Sequence, residues 1–128
     1  MNLSYRLEAG VGIIEAKAPR IDAAVAIQFK DRFSELTGPA ADDTSADPGL
    51  GEVETVLLDM SEVEFLDSSG LGAVVAARKM LGSDRVLALA GLQPAVEKVL
   101  RLTHMDRIFP IYPDMAAFMA GQAQDEGA

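Results

Sequence analysis

The stretch Val56–Leu81, VLLDMSEVEFLDSSGLGAVVAARKML, decides how the rest of the chain is read. It opens on Val56-Leu57-Leu58, an unbroken apolar run of the kind carried by a strand covered on both faces. Asp59-Met60-Ser61 and Val63-Glu64-Phe65-Leu66 come next, followed by Asp67-Ser68-Ser69-Gly70. From there Leu71, Val74, Val75, Arg78 and Leu81 recur with helical period. Asp67 or Ser68 suits the N-cap of that helix, because a short oxygen-bearing side chain accepts from the free amides of the first turn. Ser68 and Ser69 therefore sit where backbone donors and the positive end of the helix dipole point outward. A phosphate placed there is held rather than expelled.

This stretch resembles the signature of STAS domains, and among them the anti-sigma factor antagonists of bacterial partner-switching systems. The family pattern is a strand ending in Asp-Leu-Ser, a hydrophobic pair, and Asp-Ser-Ser-Gly-Leu-Gly at a helix start. The chain reads Leu58-Asp59-Met60-Ser61 and Phe65-Leu66-Asp67-Ser68-Ser69-Gly70-Leu71-Gly72. The resemblance implies phosphorylation of the first serine of the tetrad, Ser68, with Ser69 as the alternative. It also implies a partner-binding surface of Arg20, Asp22, Ser61, Asp67, Ser68, Ser69, Gly70, Leu71 and Gly72. The partners it implies are an anti-sigma factor that is a serine kinase and a serine phosphatase that reverses its action. Unphosphorylated, such a protein binds the kinase and frees the sigma factor. No catalysis and no cofactor of its own are expected. The same fold also serves phospho-switches with a non-sigma output, and modules that sense a nucleotide or small molecule.

Composition bounds the alternatives. A chain of 128 residues makes one domain, expected over residues 1–121, with a disordered tail at 122–128. Without cysteine there is neither a disulfide framework nor a thiolate metal site, and a cytoplasmic location is the expectation. No signal-peptide core stands at the N-terminus, and no apolar run approaches the ~18–20 residues of a membrane span. A net charge of −9 argues against direct nucleic-acid binding, since backbone phosphates would be repelled. It fits a partner with a basic face, although most such charge is simply solvated surface.

Outward from the central stretch, Leu3–Glu8 and Val11–Lys17 are strand candidates joined at Ala9-Gly10, with Gly10 or Gly12 making the turn. Arg20-Ile21-Asp22 stands where family members often have glycine, a hydrophobic residue and aspartate, so the glycine is missing. Val25, Phe29, Phe33 and Leu36 give an amphipathic helix over Ala23–Thr37, stopped by Gly38-Pro39. Residues 39–52, with the run AADDTSADPGLGE from Ala40 to Glu52, read as an acidic flexible loop. Arg85–Ala90 is a strand, Pro94 opens a helix with Val96, Val99, Leu100 and Met105 buried, Ile108–Tyr112 is the last strand, and a short helix follows. The order β-β-α-β-α-β-α-β-α argues for an α/β fold, here the STAS fold, with a mixed central β-sheet. Right-handed crossovers should gather Arg20–Asp22, Ser61–Gly70 and Gly91–Pro94 at one pole and leave the acidic loop at the other.

Other chemistries fit poorly. Asp59 ends a buried strand, as the phospho-accepting aspartate of receiver domains does, but no acidic cluster follows the first strand to hold magnesium. The simpler role is to accept amides of the following turn. A nucleophilic Ser68 or Ser69 needs a base, and His104, the only histidine, lies at the end of another helix. No Gly-x-Ser-x-Gly elbow is present, one histidine with scattered carboxylates is not a metal site, and Gly70-Leu71-Gly72 lacks the third glycine of a dinucleotide fingerprint.

Overall fold

In the computed structural model, residues 2–37, 53–83 and 85–127 are described, 122–127 as backbone. The chain starts as a hairpin: β1 (Asn2–Glu8) and β2 (Val11–Lys17) pair antiparallel from Asn2↔Lys17 to Glu8↔Val11. Ala9 and Gly10 connect them with φ of 51° and 80°. This is the double left-handed geometry of a two-residue turn whose twist matches the strands. Gly10 accordingly makes the turn.

β2 lies parallel to β4 (Thr55–Asp59), which lies parallel to β6 (Val86–Ala90), and β6 to β7 (Ile111–Tyr112). The five-stranded order is β1-β2-β4-β6-β7, a mixed sheet as expected. Val56 and Leu58 face one layer, built by α1 (Ala23–Thr37), α2 (Ser68–Leu81) and α3 (Pro94–Leu102). Leu57 faces the other, closed by α4 (Met115–Gly127) through Phe118. That two-sided burial is why the strand reads as a continuous apolar run. Each of the three side chains is fully buried, contributing ~1.5–3 kcal/mol.

Several details differ from the sequence reading. Two further strands, β3 (Arg20–Ile21) and β5 (Phe65–Leu66), pair in parallel as a separate two-stranded sheet. Two residues are too few to show a period. The strand expected at Ile108–Tyr112 is confined to Ile111–Tyr112. A 3-10 turn at Met105–Arg107 precedes it, and the amides of Ile108 and Phe109 bond back to the Met105 carbonyl. Phe109 is thereby drawn into the core instead of alternating along a strand. α4 runs on to Gly127, past the expected boundary at 121, so 122–127 continues that helix where a disordered tail was expected. Once a helix is anchored, each added residue gains a hydrogen bond without a new nucleation cost.

The acidic loop at 39–52 lies outside the described residues. The residues bracketing it are tied together: the Arg85 guanidinium donates to the Thr37 carbonyl and the Val53 carbonyl, both at 2.8 Å. Partial burial lowers the Arg85 pKa from its ordinary value. Arg85 stands just before β6 and Val53 just before β4, at the pole opposite the carboxyl ends of those strands.

Candidate functional site

The short β3–β5 sheet builds the site. The Pro19 carbonyl accepts from the amides of Glu64 (2.7 Å) and Phe65 (3.1 Å), and Arg20 and Ile21 then lie opposite Phe65 and Leu66. Ile21 and Leu66 point into the core, so their neighbours in each strand point out. The residue after each strand is an aspartate that opens a helix. Asp22 Oδ1 accepts from the Ala24 amide at 3.1 Å, starting α1, and Asp67 Oδ1 accepts from the Gly70 amide at 2.8 Å, starting α2. The cap of α2 is therefore Asp67, of the two candidates, and Ser68 is the first helical residue.

Ser68 and Ser69 are exposed, Gly70 is buried and Leu71 is half-buried against the core. A β-carbon on Gly70 would meet the Ile21 carbonyl oxygen at 1.9 Å, whereas one on Gly72 would have nothing within 4 Å. Ser68 and Gly72 are four residues apart and so share one face of α2. The two glycines thus differ in kind. One admits this chain's own backbone, and the other leaves bare helix facing outward.

The turn after β4 completes the pole. Asp59 Oδ1 accepts the Ser61 amide at 2.9 Å, the turn-capping role expected for that aspartate. The Gln93 amide group donates to the Ser61 carbonyl at 2.9 Å. Gly91, at φ 72°, packs so closely that a β-carbon would lie 3.1 Å from Ser61 Cβ. Hence Arg20–Asp22, Ser61–Gly70 and Gly91–Pro94 do converge, joined by backbone and side-chain hydrogen bonds. Four carboxylates belong to these segments, at Asp22, Glu62, Glu64 and Asp67, with Asp59 just before them at the end of β4, against the single guanidinium of Arg20. Any partner docking here meets a negative rim.

Phe65 was not among the expected site residues. Its ring is 41% exposed, and the Arg20 guanidinium lies 4.6 Å from its centroid while standing 3.5 Å from Asp22. The clue was available: two adjacent apolar residues in a strand face opposite sides, so one of Phe65 and Leu66 had to point outward.

His104 is exposed in a left-handed conformation beyond the end of α3, about 13 Å along that helix from Pro94. Among the described residues no group of three or more His, Cys, Asp or Glu side chains could hold a metal ion, and no helix is long and apolar enough to cross a membrane.

Comparison with known proteins agrees with this geometry. The model of the STAS domain family matches residues 2–117. A Thermotoga maritima protein assigned as an anti-sigma factor antagonist is 38% identical over 65 residues, covering 50% of this chain and 58% of the relative. An anti-sigma F factor antagonist of Paenibacillus polymyxa is 29% identical over 62 residues, covering 48% and 53%. The matched part thus spans just over half the length of these curated relatives. The structure of a STAS domain protein from Planctomyces limnophilus superposes with a TM-score of 0.74 at 26% identity, covering 93% of this chain and 95% of that one.

Proposed function

The chain belongs to the STAS domain family, and from that premise we propose that it is an anti-sigma factor antagonist that works by partner switching. Its unphosphorylated pole docks on an anti-sigma factor serine kinase and frees the sigma factor. Phosphorylation of Ser68 ends the complex, and a serine phosphatase restores it. The chain carries no catalysis of its own; ATP and magnesium belong to the kinase.

The observation that carries this reading is the division of labour between Asp67 and Ser68. Because Asp67 supplies the cap, the Ser68 hydroxyl is not needed to start the helix and stands exposed at its first residue. A kinase can modify it without undoing the fold. The phosphate adds ~1.5–2 negative charges to a rim already rich in carboxylates. An unpartnered charge in an interface costs several kcal/mol, while the helix dipole tolerates it within the domain. Arg20, Asp22, Ser61, Ser69, Gly70, Leu71 and Gly72 complete the proposed docking surface, to which the exposed ring of Phe65 is added. A non-sigma output would use the same switch with another partner.

The test is direct. The chain is purified with its partner, incubated with that kinase and ATP, and mapped by mass spectrometry. Phosphate on Ser68, with loss of binding in titration, is the expected result; modification mainly at Ser69 would shift the assignment. A second reading, sensing of a small molecule, draws on a cavity of about 590 Å³ bounded by Leu92, Phe109, Ile111 and Tyr112 beside the same pole. Metabolite-induced shifts in amide NMR spectra confined to those residues would favour it.

A further inference from the structure

The two edges of the main sheet are treated differently. β7, at one edge, is two residues long and bracketed by Pro110 and Pro113, which lack the amide another strand would need. β1, at the other, runs seven residues and pairs with β2 without a bulge. Among the described residues β2 is the only strand neighbour of β1, and β1 itself contains no proline or lysine, its charges being Arg6 and Glu8.

From these features we infer that β1 is a self-association edge, on which a second copy of this chain pairs antiparallel and joins two five-stranded sheets into one. This goes beyond the switching role and does not depend on it.

The hairpin fixes which backbone groups face outward. In a two-residue hairpin the closing pair, here Glu8 and Val11, exchanges both hydrogen bonds. Ser4 and Arg6 then bond to β2 in turn, and Leu3 and Leu7 direct their N–H and C=O away from it. A two-fold axis beside Tyr5 sets Leu3 against Leu7 of the second copy, and Leu7 against its Leu3. That register overlaps the full strand and forms about four inter-chain hydrogen bonds through the leucines alone.

Side chains select the same register. Leu7 is 57% exposed, with no role in the core, and the pairing covers it. Arg6 would face Ser4 of the second copy and Glu8 would face Asn2, so no like charges oppose each other. A slip of two residues one way would set Arg6 against Arg6, which is unfavourable, and the other way would leave Leu7 and Glu8 opposite no residue of β1. Arg6 is also neutralised within its own chain by Glu8 and Glu15, interactions that raise its pKa above the ordinary value. What opposes pairing is the overall charge of −9 on each copy, a repulsion that salt screens.

Sedimentation velocity on the full chain, from micromolar to near-millimolar concentration at low and high salt, tests this. The mass should rise from 13.6 kDa towards twice that value, further at high salt. Leu7→Pro removes an outward amide without touching the β1–β2 bonds, and Leu7→Lys puts a charge on the edge. Each should weaken association at least tenfold while the monomer still melts cooperatively. If the proline variant fails to fold, the lysine variant decides. Hydrogen exchange should show the Leu3 and Leu7 amides gaining protection with concentration. A monomer under all conditions, or a dimer indifferent to both variants, overturns the inference.

Discussion

Gly70 sets the start of α2 directly against the carbonyl oxygen of Ile21: a β-carbon on residue 70 would lie 1.9 Å from that oxygen and 2.8 Å from Leu66 Cδ1. The obstacle is backbone, so no change of rotamer relieves it. Gly70→Ala should separate α2 from the β3–β5 pair, costing on the order of 3 kcal/mol. Thermal unfolding should show a drop in Tm of about 10 °C.

Gly72 makes the opposite prediction. Its missing side chain leaves open space, and it sits exposed within a helix. Gly72→Ala should stabilise the isolated domain by about 0.5–1 kcal/mol. If the bare face of α2 receives the partner's backbone, the same variant should bind the partner at least tenfold more weakly. A melting curve and a binding titration that move in opposite directions would establish both.

The roles of Asp67 and Ser68 can be separated by mutation. Asp67→Ala leaves the Gly70 amide without its acceptor and should cost about 1 kcal/mol. Ser68→Ala removes no cap and should melt within about 2 °C of wild type while binding its partner constitutively. Ser68→Asp should also keep a cooperative melt, since a negative charge in the first turn is favoured by roughly 0.3–1 kcal/mol. Its binding should nevertheless fall at least tenfold, which places the switch on the surface and not in the fold.

At the β1–β2 turn, Ala9 holds φ at 51°, a conformation costly for a residue with a β-carbon and no local hydrogen-bonding group. An asparagine tolerates it better: Ala9→Asn creates the Asn-Gly pair preferred in this turn and should stabilise the domain by roughly 0.5–1 kcal/mol. Chemical denaturation should show a higher midpoint with an unchanged slope.

Much of this was legible in the chain. Val56–Leu58 announced a strand buried on both sides, and Phe29 and Phe33 announced the inner face of α1, where their rings now lie 6.0 Å apart. The convergence of Arg20–Asp22, Ser61–Gly70 and Gly91–Pro94 followed from the handedness of the crossovers. The β3–β5 pairing did not, because its specificity lies in the Pro19 carbonyl and in the absent side chain of Gly70, and neither makes a pattern in sequence. Nor could sequence choose between Asp67 and Ser68 as cap, since both side chains can accept the same amide. Phe65 was passed over for a related reason: alternation says that one of Phe65 and Leu66 faces outward, but only the β3–β5 pairing shows which.

Arg85, by holding the Thr37 and Val53 carbonyls together, uncouples the domain from the length of chain between them. With those anchor points fixed by a side chain, doubling an intervening linker costs only about 0.6 kcal/mol of closure entropy. An insertion between Thr37 and Val53 should therefore leave these two anchors, and the serine at the far end of the sheet, undisturbed, which a melting curve of such a variant checks. A fluorescent module spliced between those anchors is thus expected to report on the domain without changing its binding, making this position a handle for following the proposed exchange of partners.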